Sequence, residues 1–268
     1  MRTVISKDGT PIAFDQSGQG PAIILVGGAS STRLAAASLA AALAPHFTVF
    51  AYDRRGRGAS GDTAPYAVER EVEDIDALIN EAGGKAFVFG HSSGAVLALE
   101  AARLLPTKIT KLALYEPPFI IDDSRHPAPE DAAAHITELV SSGRRGEAVE
   151  YFMTIVGMPA EMVAQMRQSP MWPGLEELAH TLAYDVTIIG DTQSGDPLSL
   201  RKWAGVTVPT LVMDGSVFLG REEGHAFMRH GAQELANILP DAQHRILEGQ
   251  DHGPADEVLV PALQGFFL

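Results

Sequence analysis

Short, wholly apolar runs recur along the chain and are separated by longer segments with helical periodicity. An apolar run of this length predicts a β-strand that is buried on both faces. The predicted strands of this kind are Ala22–Val26, Thr48–Tyr52, Ala86–Phe89, Lys111–Tyr115, Thr210–Met213 and His244–Leu247. Helix-like segments alternate with them, at Thr32–Leu43, Ala67–Glu81, Ser93–Leu104 and Asp256–Phe267. The alternation is typical of an α/β fold with a mostly parallel sheet that helices cover on both faces.

Two segments depart from this alternation. Residues 2–14 predict a β-hairpin, because Asp8-Gly9 is a turn signal between two strand-like runs. Residues 119–203 are rich in helix formers interrupted by prolines and glycines, which predicts several short helices inserted between two strands. Such an insertion would lie over the carboxyl ends of the strands, where open α/β sheets bind ligands. We therefore predict a core domain of residues 1–118 and 204–268 and a helical cap of residues 119–203.

The composition narrows the classes of partner and of chemistry. With 34 acidic and 20 basic residues, the chain has a formal net charge of −14, which disfavours binding to nucleic acid or to an anionic membrane. Cysteine is absent, so disulfides, thiolate nucleophiles and cysteine metal sites are excluded. The first residues lack the apolar stretch of a signal peptide, and no apolar run approaches the about 20 residues that span a bilayer. We expect a cytoplasmic monomer or homodimer.

The strongest chemical signal is Gly90-His91-Ser92-Ser93-Gly94, between a predicted strand and a predicted helix. In that context G-x-S-x-G predicts a nucleophile elbow, a turn so sharp that its flanking positions have no room for a Cβ. Ser92 is then the candidate nucleophile, and the backbone N–H of Ser93 is placed to stabilise an oxyanion. A second donor is expected from the glycine-rich loop after strand Ala22–Val26, with Gly28 preferred and Ala29 next.

The elbow, together with the sequence YDRRGRGAS at residues 52–60, resembles the α/β-hydrolase superfamily from end to end. The resemblance implies that the loop of Asp53, Arg54 and Arg57 is a fixed charged turn, although an arginine cluster could instead bind a substrate carboxylate. It also implies the chain order serine, acid, histidine. His252, in the loop after the last predicted strand, is then the candidate general base.

The acid departs from the family pattern. The position where most members carry it, shortly after strand Thr210–Met213, holds Phe218. Glu116 ends the preceding strand, at the point where some haloalkane dehalogenases and the zearalenone-type lactonases place their acid, and the resemblance therefore favours it. Asp214 is the alternative acid, and Glu222, Glu223 or the absence of any acid stay open as further alternatives.

A serine nucleophile favours acyl transfer to water over the alkyl-ester chemistry of aspartate-based members of the fold. The predicted function is hydrolysis of a carboxylic ester or lactone of an apolar or aromatic small molecule. Thioester or C–C bond hydrolysis, and a weakly catalytic member that binds or cyclises a ligand, stay open as alternatives. No histidine or carboxylate spacing indicates a metal, and no cofactor is expected. The expected pocket residues are Ala29, His91, Met153, Met158, Trp172 and Phe218.

Overall fold

The computed structural model describes residues 1–217 and 226–268, and Phe218 therefore lies outside the described residues. This part of the chain contains eight strands, which are β1 Arg2–Ile5, β2 Pro11–Ser17, β3 Ala22–Val26, β4 Thr48–Tyr52, β5 Ala86–His91, β6 Ile109–Tyr115, β7 Thr210–Gly215 and β8 Ala242–Leu247. They form one sheet in the order β1-β2-β4-β3-β5-β6-β7-β8. The strands β1 and β2 form the predicted hairpin, β2 pairs antiparallel with β4, and all the other pairings are parallel.

Helices cover both faces of the sheet, as the apolar runs predict. The α-helices are α1 Ala37–Leu43, α2 Val68–Glu81, α3 Ser93–Leu104, α4 Ala132–Ser141, α5 Arg145–Ile155, α6 Ala160–Arg167, α7 Trp172–Glu177, α8 Leu182–Ile189, α9 Ala226–Ile238 and α10 Asp256–Phe267. On β3, Ile24 and Val26 pack into a cluster with α2, α3 and α9, whereas Ile23 and Leu25 pack on the opposite face with α1 and α10. Alternate residues of one strand thus enter two separate cores, which is why the strands read as continuously apolar.

The observed elements extend beyond some of the predicted bounds. β8 begins at Ala242 rather than His244, because its residues alternate between exposed and partly buried positions at the edge of the sheet. β7 continues to Gly215 and so includes Asp214. The predicted helix Thr32–Leu43 is in fact a 3-10 turn at Arg33–Ala36 that leads into α1.

The segment between β6 and β7, residues 119–203, contains the short helices α4 to α8. They have an apolar cluster of their own, whose buried members include Ile136, Val149, Trp172 and Leu182. This segment lies over the carboxyl ends of β3 and β5, and a cavity separates the two. The division of the chain into a core and a cap at residues 118/119 and 203/204 stays a prediction.

No helix within the described residues is both long enough and apolar enough to cross a membrane.

Candidate active site

Ser92 lies in a strained turn between β5 and α3. Its φ of 56° and ψ of −126° place a non-glycine residue in a backbone region that L-amino acids rarely adopt. A Cβ at Gly90 would lie 2.5 Å from the carbonyl oxygen of Gly94, and one at Gly94 would lie 2.4 Å from that of Val26. Only glycine fits at either position, so the two glycines of the motif allow α3 to pack this closely against β3 and β5.

Glu116 and His252 form a direct pair. The Nδ1 of His252 lies 2.6 Å from Oε2 of Glu116, and Oε1 of the same carboxylate accepts a hydrogen bond of 2.9 Å from the backbone N–H of Gly215. Glu116 is fully buried and has a positive φ of 47°, at the point where the chain leaves β6. A carboxylate on Nδ1 directs the proton of a neutral imidazole to that nitrogen and leaves Nε2 as an acceptor. His252 and Ser92 both line the cavity.

Asp214, the alternative acid, has other partners. Its Oδ1 lies 2.5 Å from Nε2 of His244, and its Oδ2 accepts a hydrogen bond of 3.2 Å from Nε of Arg229. The carboxylate is fully buried inside β7, and no hydrogen bond to His252 is present among the described residues. Of the two candidates, the structure therefore brings Glu116, and not Asp214, to the histidine.

Gly28 lies directly against the elbow. A Cβ at Gly28 would lie 3.0 Å from Cβ of Ser92. The carbonyl oxygen of Gly28 accepts hydrogen bonds from Nη1 of Arg57 at 2.6 Å and from Oγ of Ser31 at 2.7 Å. In a trans peptide the carbonyl and the following N–H point in opposite directions, so the N–H of Ala29 points away from the buried Arg57. Gly28 and Ala29 both line the cavity, and the direction of this peptide favours the N–H of Ala29 as the candidate second oxyanion donor.

A buried ion cluster lies beneath this loop. Asp185, on α8, accepts hydrogen bonds from Nη1 of Arg54 at 2.8 Å, from Nη2 of Arg57 at 2.7 Å and from Oγ of Ser93 at 2.7 Å. Glu71 pairs with Arg54 on its other side at 2.7 and 2.8 Å. Although burial opposes ionisation, the charges of Arg57 and Arg54 hold the pKa of Asp185 below its usual range.

The two arginines of the cluster are therefore structural. Arg54 and Arg57 are 2% and 1% exposed and paired with carboxylates, which contradicts the alternative that this loop binds a substrate carboxylate. The sequence analysis missed Asp185. The signal was its position as a lone acid in the apolar segment Leu182–Ile189, because an unpaired buried carboxylate would be costly.

The cavity between the sheet and the inserted segment has a volume of about 610 Å³. Of the expected pocket residues, Ala29, His91, Met153 and Met158 line it. The prediction that Trp172 lines the cavity is wrong. Its ring packs in the apolar cluster of the inserted segment, and its Nε1 donates a hydrogen bond of 3.0 Å to Oε1 of Glu176. Lining residues that the sequence analysis did not single out include Arg125, Phe152, Gln193 and Phe227. Among the described residues, no group of three or more His, Cys, Asp or Glu could hold a metal ion.

His91, between Gly90 and Ser92, ties the histidine loop to β5. Its Nε2 lies 2.7 Å from the backbone carbonyl oxygen of His252, and because a carbonyl only accepts, Nε2 carries the proton. Burial, together with the neighbouring His252 ring, lowers the pKa of His91 to about 4. At neutral pH, His91 is therefore an uncharged donor that fixes the main chain of His252.

A family model described as "Alpha/beta hydrolase family" matches residues 23–260. The chain belongs to the alpha/beta hydrolase family. The crystal structure of an alpha/beta hydrolase from Sphaerobacter thermophilus DSM 20745 is 54% identical, with a TM-score of 0.90 over 100% of both chains.

Two curated hydrolases are also similar over shorter stretches. An uncharacterized hydrolase, YraK, from Bacillus subtilis (strain 168) is 34% identical over 113 residues, which are 41% of this chain and 42% of that protein. N-formylmaleamate deformylase from Pseudomonas putida (strain KT2440) is 34% identical over 104 residues, which are 38% of this chain and 39% of that protein. The chain thus matches less than half the length of these relatives.

The assignment of the acid predicts unequal effects of two isosteric substitutions. Glu116→Gln removes the charge that orients and stabilises the histidine, and we expect kcat on an activated ester to fall by ~10³–10⁴-fold. Asp214→Asn removes the buried charge that pairs with Arg229 and contacts His244, and we expect it to lower the free energy of unfolding while kcat stays within about tenfold of wild type. Steady-state kinetics and urea denaturation measure both. A larger loss of kcat in Asp214→Asn than in Glu116→Gln would overturn the assignment.

The lowered pKa of His91 predicts a dependence of stability on pH. A histidine that titrates near 6.5 in the unfolded chain and near 4 in the folded one stabilises the fold fully above pH 6.5, and this contribution is lost progressively as the pH falls from 6.5 to 4. We expect the free energy of unfolding to fall by about 2–3 kcal/mol from this source between pH 7 and pH 4. Urea denaturation across that range should show a shallower fall in His91→Gln, which keeps a donor but does not titrate.

His46→Gln is the matched control for this prediction, because His46 is an exposed histidine away from the cavity. It should keep the slope of the wild type. An unchanged slope in His91→Gln would contradict the account.

Proposed function

We propose that the protein is a serine hydrolase that cleaves a carboxylic ester or lactone of an apolar or aromatic small molecule through an acyl-enzyme on Ser92. The observation that carries the proposal is the contact of 2.6 Å between Nδ1 of His252 and Oε2 of Glu116. It supplies an oriented base in the cavity that Ser92 lines. A serine hydroxyl is a weak nucleophile by itself and needs such a base.

In the proposed reaction, Oγ of Ser92 attacks the carbonyl carbon while Nε2 of His252 takes the hydroxyl proton. The N–H groups of Ser93 and of Ala29, or of Gly28, stabilise the oxyanion of the tetrahedral intermediate. The intermediate collapses, the bond to the alkoxy oxygen breaks, and His252 gives its proton to the leaving alcohol. His252 then takes a proton from water, which attacks the acyl-enzyme; the bond from the acyl carbon to Oγ of Ser92 breaks, Oγ takes the proton back from His252, and the acid is released. In a lactone, the leaving alcohol stays attached to the acyl group.

Two geometric features of the site bear on the first step of the proposed reaction, the attack by Ser92. The strained backbone of Ser92 projects its hydroxyl into the cavity, as a nucleophile elbow requires. No hydrogen bond joins Ser92 to His252 among the described contacts, and in this proposal the bond forms when the substrate enters, as catalytic hydrogen bonds often do.

The cavity supports an apolar substrate of moderate size. The inserted segment contributes mainly apolar side chains to its walls, including Val149, Phe152, Met153 and Met158. Methionine side chains adapt to irregular apolar shapes. A small-molecule ester or lactone remains the proposed partner, in a monomer or homodimer without a cofactor.

Hydrolysis of p-nitrophenyl acetate and p-nitrophenyl butyrate tests the proposal. We expect wild-type turnover with an acyl adduct on Ser92 in mass spectra, and a loss of ~10³-fold or more in kcat in Ser92→Ala. Ser142→Ala, at an exposed serine away from the cavity, should match the wild type. No turnover and no adduct in the wild type would favour the alternative, a protein that binds or cyclises a ligand without hydrolysis.

A further inference from the structure

The cavity carries a guanidinium that the proposed mechanism does not use. Arg125 lies in the loop between β6 and α4 and lines the same cavity as Ser92 and His252. Among the described residues, Asp256 at the start of α10 also lines the cavity, and Arg125 is the only lysine or arginine that does so in an otherwise largely apolar wall.

Several contacts fix the guanidinium in place. Nη2 of Arg125 donates a hydrogen bond of 2.8 Å to the carbonyl oxygen of Ile155, at the end of α5. The guanidinium carbon lies 4.5 Å from the centre of the Phe227 ring, a cation–π contact. A Cβ at position 157 would lie 2.7 Å from Nη2, so the positive-φ Gly157 leaves space for the group. The charge is therefore held in the wall of the cavity.

The contacts of Arg125 differ from those of the buried arginines. Arg54, Arg55 and Arg57 each pair with at least one carboxylate at 2.7–2.9 Å. In residues 1–217 and 226–268, no carboxylate lies within 4.0 Å of the Arg125 guanidinium, and Ile155 accepts its one hydrogen bond. Four of the five N–H groups of an arginine are thus left for another acceptor.

A half-buried cation in an apolar wall is costly unless an anion or an acceptor pairs with it. The burial of Arg125 lowers its pKa, in keeping with a charge that has lost water without gaining an ionic partner. The planar fork of a guanidinium matches a carboxylate, which it can bind through two parallel hydrogen bonds. A ligand that enters the cavity with a carboxylate would supply the missing partner.

We infer that Arg125 binds a carboxylate of the substrate, so that the substrate is a monoanionic ester whose charged group is separated from the scissile carbonyl by an apolar spacer. This inference rests on the proposed function for the reaction, but the ionic contact itself does not depend on turnover. It makes Arg125 a specificity-determining residue at the cavity wall.

Monomethyl esters of linear C5 to C10 diacids test the inference, with the dimethyl esters as neutral isosteres. Isothermal titration on the Ser92→Ala background should show that at least one monoanion binds more tightly than its dimethyl ester. The preference should fall by ~10–100-fold on adding Arg125→Met, as expected for a hydrogen bond to a charged group, and return in part in Arg125→Lys. In the Ser92 enzyme, the ratio of kcat/KM between the two esters should change in the same direction.

Arg201→Met is the matched control, because it removes an equal charge from an exposed side chain that does not line the cavity. It should leave the preference for the monoanion unchanged. No preference for any monoanion, or an equal preference in Arg125→Met and wild type, would overturn the inference. An Arg125-dependent preference without turnover would contradict the proposed function and leave the inference standing. Turnover of neutral esters with no preference for the monoanion would support the proposed function and overturn the inference.

Discussion

The structure around the candidate active site depends most on the ionic contacts of the buried Asp185 carboxylate. It comes from α8 in the inserted segment and is buried among Arg54, Arg57 and Ser93 in the part of the molecule built on the sheet. Through these groups it reaches both loops that carry the proposed oxyanion donors. Arg57 also binds the carbonyl of Gly28, and Ser93 is the first residue of α3.

Such a cluster stabilises one arrangement only when all its members are present. The desolvation of a buried charge is offset by ionic partners at short range, and the removal of one partner leaves the others buried and unpaired. The positions of the inserted segment, the glycine-rich loop and the elbow are therefore coupled. Asp185 and its partners thus hold the proposed oxyanion donors in place beside Ser92, His252 and Glu116.

The position of Glu116, the proposed acid, follows from the order of the strands. β6 and β7 are parallel neighbours, and the N–H of Glu116 donates to the carbonyl of Met213 at 2.9 Å. Glu116 thus directly follows β6 beside the end of β7, and it reaches the histidine loop that follows β8. The N–H of Gly215 binds its second oxygen. Asp214, one residue earlier on β7, faces Arg229 of α9 and His244 of β8 instead.

How much of this the sequence predicts depends on whether the determining contacts are local. The sheet and its flanking helices follow from runs such as Ala22–Val26, because burial on two faces leaves a clear apolar pattern. The nucleophile elbow can likewise be predicted from the sequence, because its sharp turn requires the residue types at Gly90, Ser92 and Gly94.

Contacts between distant segments leave no such pattern. The pairing of Asp185 with Arg54 spans 131 positions, and the exclusion of Trp172 from the cavity depends on how α7 packs. Likewise, the sequence offered both Gly28 and Ala29 as donors. The choice depends on the carbonyl of Gly28, whose direction is set by Arg57, 29 positions away.

In the proposed mechanism, Ser92 is a nucleophile activated by His252, which Glu116 orients. A fluorophosphonate reagent, which reacts with activated serine hydroxyls, tests this mechanism when the adduct is mapped by peptide mass spectrometry. We expect a single adduct, on Ser92, that forms much more slowly in Glu116→Gln and not at all in Ser92→Ala. No adduct in the wild type, an adduct on another serine, or an equal rate in Glu116→Gln would contradict it.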